Sequence, residues 1–229
     1  MILRPYQEQM VSKAVAALKK HGDTLAVAPT GAGKTVLLSA LAGRVGGKQL
    51  ILQHRDELTF QNAKKYREVN PRVRVGMFNA DIKDWKGDAT FAMVQTLCRD
   101  RALSTIPKLD LLVIDEAHHA VAPSYRKVVD AVRDKNPDCR IFGVTATPAR
   151  GDGKGLRHIF SNCCDQLSLH SLIAMGFLVR PRTFVCTLEG TDDRLASLRK
   201  TASGEFDMNE AEAVLDMEVH NAAVVREWK

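Results

Sequence analysis

Residues 24–45 read TLAVAPTGAGKTVLLSALAGRV, and this stretch decides the fold. Leu25–Ala28 is a short apolar run of strand character. Lys34–Val45 repeats its apolar residues at helical spacing. Between them lies a tight turn carrying Gly31 and Gly33. A strand, a glycine turn and a helix in that order build a cradle for phosphate. Glycines let backbone N–H groups close on anionic oxygens, and the helix start adds its positive dipole end. Thr30, Gly31, Ala32, Gly33, Lys34 and Thr35 form the expected cradle. The Lys34 ammonium would reach the outer phosphates of a nucleoside triphosphate, and the Thr35 hydroxyl would ligate Mg²⁺. Ala28 stands where the strict pattern has glycine. A chance glycine turn is the competing account, and the flanking strand and helix weigh against it.

Further apolar runs read as strands at Gln49–Gln53, Val73–Phe78, Thr90–Val94, Leu109–Ile114 and Arg140–Val144. Helical spacing marks Gln7–Lys20, Glu57–Glu68 and Ser124–Arg133. The stretch LDLLVID at 109–115 is apolar on both strand faces, the mark of a parallel sheet covered by helices. An open α/β fold with a mainly parallel central sheet flanked by helices is therefore expected. The Leu109–Ile114 strand ends in Asp115-Glu116-Ala117-His118. An acidic pair at a strand's carboxyl end lies on the ligand-facing edge of such a sheet. Asp115 is expected to hold Mg²⁺ and Glu116 to orient an attacking water. Without the glycine loop upstream, a dipole-capping acidic pair would be the better account. His119 is expected to be structural.

Net charge is +6, unevenly spread: residues 1–186 carry a balance of +11 and residues 187–229 one of −5. A basic body suits a polyanionic partner, although a solvated basic surface would look alike. No apolar run reaches membrane-spanning length, so no membrane association is expected. MILRPYQEQ lacks the apolar block of a secretory leader. Cys98, Cys139, Cys163, Cys164 and Cys186 show no metal-binding spacing and are expected as free thiols. A cytoplasmic setting follows as an expectation.

APTGAGKT (28–35), DEAH (115–118) and Thr145-Ala-Thr-Pro148 occur in the order of motifs I, II and III of superfamily 2 helicases, which the chain resembles. Within that superfamily it looks like the bacterial and phage DEAH-box group related to the repair helicase XPB. LRPYQEQM (3–10) is similar to the Q-motif, ILQHRDEL (51–58) to motif Ia and MVQTLCR (93–99) to motif Ib. TPARGDGKGLRHIF (147–160) and LIAMGFLVRP (172–181) resemble the segment after motif III.

The resemblance implies a RecA-like P-loop NTPase domain with ATP and Mg²⁺ as cofactors. It implies that Gln7 reads the adenine edge, with Arg4 or Tyr6 packing nearby. Lys34, Asp115, Glu116 and His118 would be catalytic, with Thr35 and Asp115 holding the metal. His118 would link the ATP site to Thr145 and Thr147, which couple nucleotide state to the nucleic-acid surface. His54, Arg55, Thr96 and Arg99 would line that surface. From spacing alone, His54 and Arg55 read equally well as a solvated loop. DNA is favoured over RNA by the group resemblance only, as is a bacterial or phage source.

Nothing after Pro148 resembles motifs IV to VI, which belong to a second RecA-like domain. Residues 1–188 are therefore expected to form the ATP-binding domain, with Thr183–Leu188 as one more strand. Residues 189–229 are expected to be an acidic connector with a helix over Ala211–Trp228, leading toward that second domain. The expected function is the ATP-binding motor domain of a DNA helicase or translocase. Alternatives are a non-catalytic ATP-binding and docking module, an RNA helicase fragment, and a different P-loop NTPase such as a transporter ATPase.

Overall fold

The computed structural model describes residues 2–54, 56–148, 155–182, 198–199, 210–212 and 216, without the side chains of 56–58. The chain separates into two units, Met1–Val179 and Arg180–Lys229. The expected boundary at 188, the strand at Thr183–Leu188, the helix at Ala211–Trp228 and Arg55 lie wholly or mostly outside the described residues.

The first unit opens with helix α1 (Pro5–His21). Pro5 suits the first helical position, where a backbone N–H would have no intrahelical partner. The Arg4 N–H donates to Gln7 Oε1 at 3.0 Å, satisfying one orphan donor of the helix start. Tyr6, Met10, Val11, Ala14 and Leu18 form its buried stripe at helical spacing. Strand β1 (Asp23–Val27) follows, then helix α2 (Lys34–Val45), β2 (Gln49–Gln53) and α3 (Asp56–Val69). Next come β3 (Val75–Phe78), β4 (Ala89–Met93) and two one-turn helices, α4 (Val94–Leu97) and α5 (Asp100–Leu103). β5 (Leu111–Asp115), α6 (Pro123–Lys135), β6 (Arg140–Thr145), β7 (Cys163–Gln166) and α7 (Leu169–Ala174) complete the described elements.

The seven strands form one parallel sheet in the order β3-β4-β2-β5-β6-β1-β7. Alternation along each strand feeds two cores. Leu111 and Val113 join Ala26, Ile51, Phe91 and Phe142 beneath α1, α2 and α3. Leu112 and Ile114 join Leu25, Val27, Leu50 and Leu52 on the opposite face, with Tyr125, Val128 and Val132 of α6. Burial on both faces explains why these strands read as continuous apolar runs.

β7 is the one strand the sequence reading missed. Its residues, CCDQ, are exposed or half-buried, because β7 is a sheet edge that pairs only with β1. No apolar run marks such an edge. The α1 side chain Lys13 reaches over to Asp165 of β7 at 2.9 Å.

Candidate active site

Because every strand is parallel, all carboxyl ends face the same edge of the sheet. The turn after β1 and the acidic pair after β5 open onto it, with β6 between their strands. The turn after β1 is fixed by Ala28 N–H donating to Thr145 O of β6 at 2.9 Å. Gly33 precedes α2 in the left-handed region at φ 78° and accepts from the Val36 and Leu37 amides. The positive φ favours glycine at 33, and a Cβ there would stand 2.8 Å from Gln7 Nε2 and displace that amide.

Lys34 Nζ lies 3.4 Å from Glu116 Oε1. Glu116 is the only described non-glycine residue at positive φ, 49°. Side chains rarely adopt that conformation, and where they do the strain tends to serve a site. Its backbone N–H donates to Asp115 Oδ1 at 3.0 Å. Asp115 is buried, 8% exposed. Burial, then the neighbouring Glu116 carboxylate, push its pKa up to about 6, against the Glu116 N–H and the Lys34 ammonium. The Gln53 amide beside it also favours the charged form, yet Gln53 Nε2 closes no hydrogen bond of normal geometry. The buried Tyr125 hydroxyl likewise has no direct partner, and its pKa is raised by burial, Asp115 and Glu116.

Asn62 of α3 joins the two halves. Its Oδ1 accepts from Thr35 Oγ1 at 3.0 Å. Its Nδ2 donates to Asp115 Oδ2 at 3.2 Å and to Gln53 Oε1 at 3.0 Å. The sequence reading passed over Asn62, because a polar residue in an amphipathic helix reads as a solvated one. Its three residues' separation from Thr59, also buried, is the one signal of an inward polar face.

His118 Nδ1 lies 2.9 Å from Thr145 Oγ1 and 3.5 Å from Glu116 Oε2. The Thr145 hydroxyl in turn accepts from the Thr147 N–H at 3.2 Å. His119, expected to be structural, has its ring 4.1 Å from that of His118 and 4.5 Å from that of His54. Gln95 Nε2 then donates to His54 O at 2.8 Å. A continuous set of contacts therefore runs from Glu116 to the end of β2 and to α4. Thr96 and Arg99 lie beyond it, on α4 and at the start of α5, and line a separate cavity.

Gln7 is buried with both ends of its amide engaged: Oε1 by the Arg4 N–H and Nε2 by Ala32 O at 3.1 Å. The Tyr6 hydroxyl donates to the same carbonyl at 3.1 Å. Two further residues reach this corner from α7. Gly176, at φ 75°, turns the chain so that the Phe177 and Leu178 amides both donate to Leu172 O. Phe177 packs edge-on against Tyr6 at 4.9 Å, under the Arg4 guanidinium at 5.4 Å. Leu178 closes on Gly31, where a Cβ would stand 2.9 Å from Leu178 Cδ2.

The donor set fits a hard cation bound with a phosphate: one hydroxyl and carboxylates, all oxygen. Among the described residues no cluster of three or more histidine, cysteine or acidic side chains could hold a metal alone.

The model of the family described as "Type III restriction enzyme, res subunit" matches residues 1–150. The chain is 26% identical to the putative ATP-dependent helicase IRC3 of Saccharomyces cerevisiae, covering 99% of this chain and 34% of that protein. It is 33% identical to the putative mitochondrial ATP-dependent helicase irc3 of Schizosaccharomyces pombe, covering 79% and 32%. It thus spans about a third of the length of these relatives. Relatives also occur in an archaeon and in viruses, so the likeness singles out no bacterial or phage source. The helicase domain of Hef from Pyrococcus furiosus superposes with a TM-score of 0.54 at 26% identity, covering 65% of this chain and 34% of that one. The restriction–modification enzyme LlaGI, solved with a DNA substrate mimic, superposes at 0.62 with 15% identity over 77% and 21%, and shows the fold. Among the described residues no helix is long and apolar enough to cross a membrane. With an all-parallel RecA-like sheet, its glycine loop facing an acidic pair, and a match over residues 1–150, the chain belongs to the Type III restriction enzyme res-subunit family, as the N-terminal RecA-like domain of a superfamily 2 helicase.

Proposed function

We propose that this domain binds ATP with Mg²⁺ and hydrolyses it to drive movement along nucleic acid, with DNA the favoured track. One observation carries the reading: the Lys34 ammonium stands 3.4 Å from the Glu116 carboxylate, beside buried Asp115, with Thr35 joined to Asp115 through Asn62. One cation, one hydroxyl and two carboxylates are thus joined by one set of contacts. Bound ATP supplies the transferable phosphoryl group, and Mg²⁺ neutralises charge developing on it.

The chain's own residues then have distinct tasks. The amides of 31–35 and the start of α2 hold phosphate oxygens. Lys34 exchanges its contact with Glu116 for a phosphate, which frees that carboxylate to orient a water. Asp115 and Thr35 hold the metal. Arg4, Tyr6 and Gln7 are assigned to the adenine end, together with Phe177. His118, Thr145 and Thr147 are assigned to coupling. His54, Arg55, Thr96 and Arg99 are assigned to the nucleic-acid face.

A full motor also needs a second RecA-like domain, in the same polypeptide or another, to supply an arginine finger. Its absence slows phosphoryl transfer by about 10³–10⁵. Residues 1–229 alone are therefore expected to bind ATP, turn it over slowly and not separate strands. The test is steady-state ATP turnover with and without single- and double-stranded DNA. Turnover stimulated by DNA and lost in Glu116→Gln supports the reading. Robust strand separation by these 229 residues alone, or turnover indifferent to Glu116→Gln, overturns it.

A further inference from the structure

At the β3 edge of the sheet a cavity of about 420 Å³ is lined by Phe78, Lys83, Trp85, Thr96, Arg99 and Arg101 among others. Its wall is mostly apolar, its ionisable lining residues are all cationic, and its size lies within the ~300–1,000 Å³ of small-molecule sites.

The cavity is held in shape by the loop between β3 and β4. Asn79 Oδ1 accepts from the Asp81 and Ile82 amides. The Lys48 ammonium grips the carbonyls of Trp85 and Gly87. The Trp85 ring lies 4.9 Å from that of Phe78, and its Nε1 donates to Thr105 Oγ1 at 3.1 Å. Lys83 Nζ stands 4.8 Å from the Phe78 ring centroid, held by the carbonyls of Asn79 and Ala80. Arg99 and Arg101 are exposed, and their side chains make no hydrogen bond or ion pair among the described residues.

A preformed indole wall beside two uncommitted guanidinium groups matches a flat aromatic ring flanked by anions. Bases stack on such side chains whatever their identity, while Arg groups take the adjoining phosphates. An acidic peptide would satisfy the cations but offers no flat face to the indole. Bases paired and stacked within a duplex cannot enter.

We propose that this cavity receives one unpaired nucleobase of the bound strand, with its neighbouring phosphates on Arg99 and Arg101. The inference rests on the nucleic-acid reading above and goes beyond it by naming a base-stacking pocket.

The test is Trp85 emission in the full chain carrying Trp228→Phe, which leaves Trp85 as the single tryptophan. Oligo-dT, the same backbone with abasic sites, a duplex and a polyglutamate peptide are titrated at low salt with a non-hydrolysable ATP analogue present. We expect quenching by oligo-dT alone, and about tenfold weaker binding of the abasic strand. Arg101→Ala, at an exposed position, weakens the oligo-dT complex, and Trp85→Ala removes the preference for oligo-dT over the abasic strand. Retained binding of the ATP analogue shows that both variants are folded. Equal quenching by the abasic strand or duplex, or displacement by polyglutamate, overturns the pocket. Nucleic acid that fails to bind at all overturns the wider reading instead.

Discussion

Asp115 keeps its carboxylate in a buried place beside a second acid, and both push its pKa up to about 6. In an unfolded chain an aspartate titrates near ~3.9. Between those values the folded state holds more protons than the unfolded state, so stability falls as pH rises through that window. Asp115→Asn removes the charge behind this loss. Asn keeps one acceptor oxygen where Asp115 takes both the Glu116 and the Asn62 N–H, so the nucleotide-free variant should regain only part of a loss of ~3 kcal/mol at pH 7, with the gain fading toward pH 4. Thermal melts across pH check this, and a variant less stable at pH 7 contradicts it. Glu116 adds backbone strain at φ 49°. Glu116→Gly should relieve about 1 kcal/mol of it while ending turnover. Higher melting temperature with no ATP hydrolysis is the expected pair of results.

At the scale of elements, α3 ties the glycine loop to the acidic strand end through Asn62, 7% exposed. Asn62→Ala leaves Thr35, Gln53 and Asp115 short of a partner and should cost about 1–3 kcal/mol in the free protein. Much of that loss should return on binding Mg²⁺ and nucleotide, if they take over Thr35 and Asp115. Melting curves with and without ligand read both quantities. This link also marks where sequence reading reaches its limit. Lys34 and Thr35 announce themselves through the glycine turn between β1 and α2, and Asp115 by ending a strand of unbroken apolar residues. Asn62, Phe177 and Leu178 do not, since their place depends on how α3 and α7 fold back onto the loop. β7 was missed for the opposite reason: an edge strand with exposed Cys163 and Gln166 carries no apolar signal. His119 looked structural in sequence, and only its packing between His118 and His54 ties it to a line of contacts from Glu116.

For the whole molecule, the parallel sheet puts the ends of β1, β5 and β6 along one edge, and β2 and β4 continue it toward Thr96 and Arg99. The acidic pair ends β5 in the middle of the sheet, and the arginine-rimmed cavity lies toward its β3 side. The +11 balance of residues 1–186 predicts that nucleic-acid affinity falls steeply with salt. For duplex DNA, log affinity should change with log salt by about one unit per phosphate contact. Binding that ignores salt contradicts an electrostatic face. The central claim, however, is that Lys34, Thr35 and Asp115 surround one triphosphate–metal complex. Calorimetric titration of wild type and Lys34→Ala with a non-hydrolysable ATP analogue, with and without Mg²⁺, tests it most directly. The wild type should bind far more tightly with Mg²⁺, and Lys34→Ala should lose most of that affinity. Equal binding by both proteins, unaffected by Mg²⁺, would contradict it.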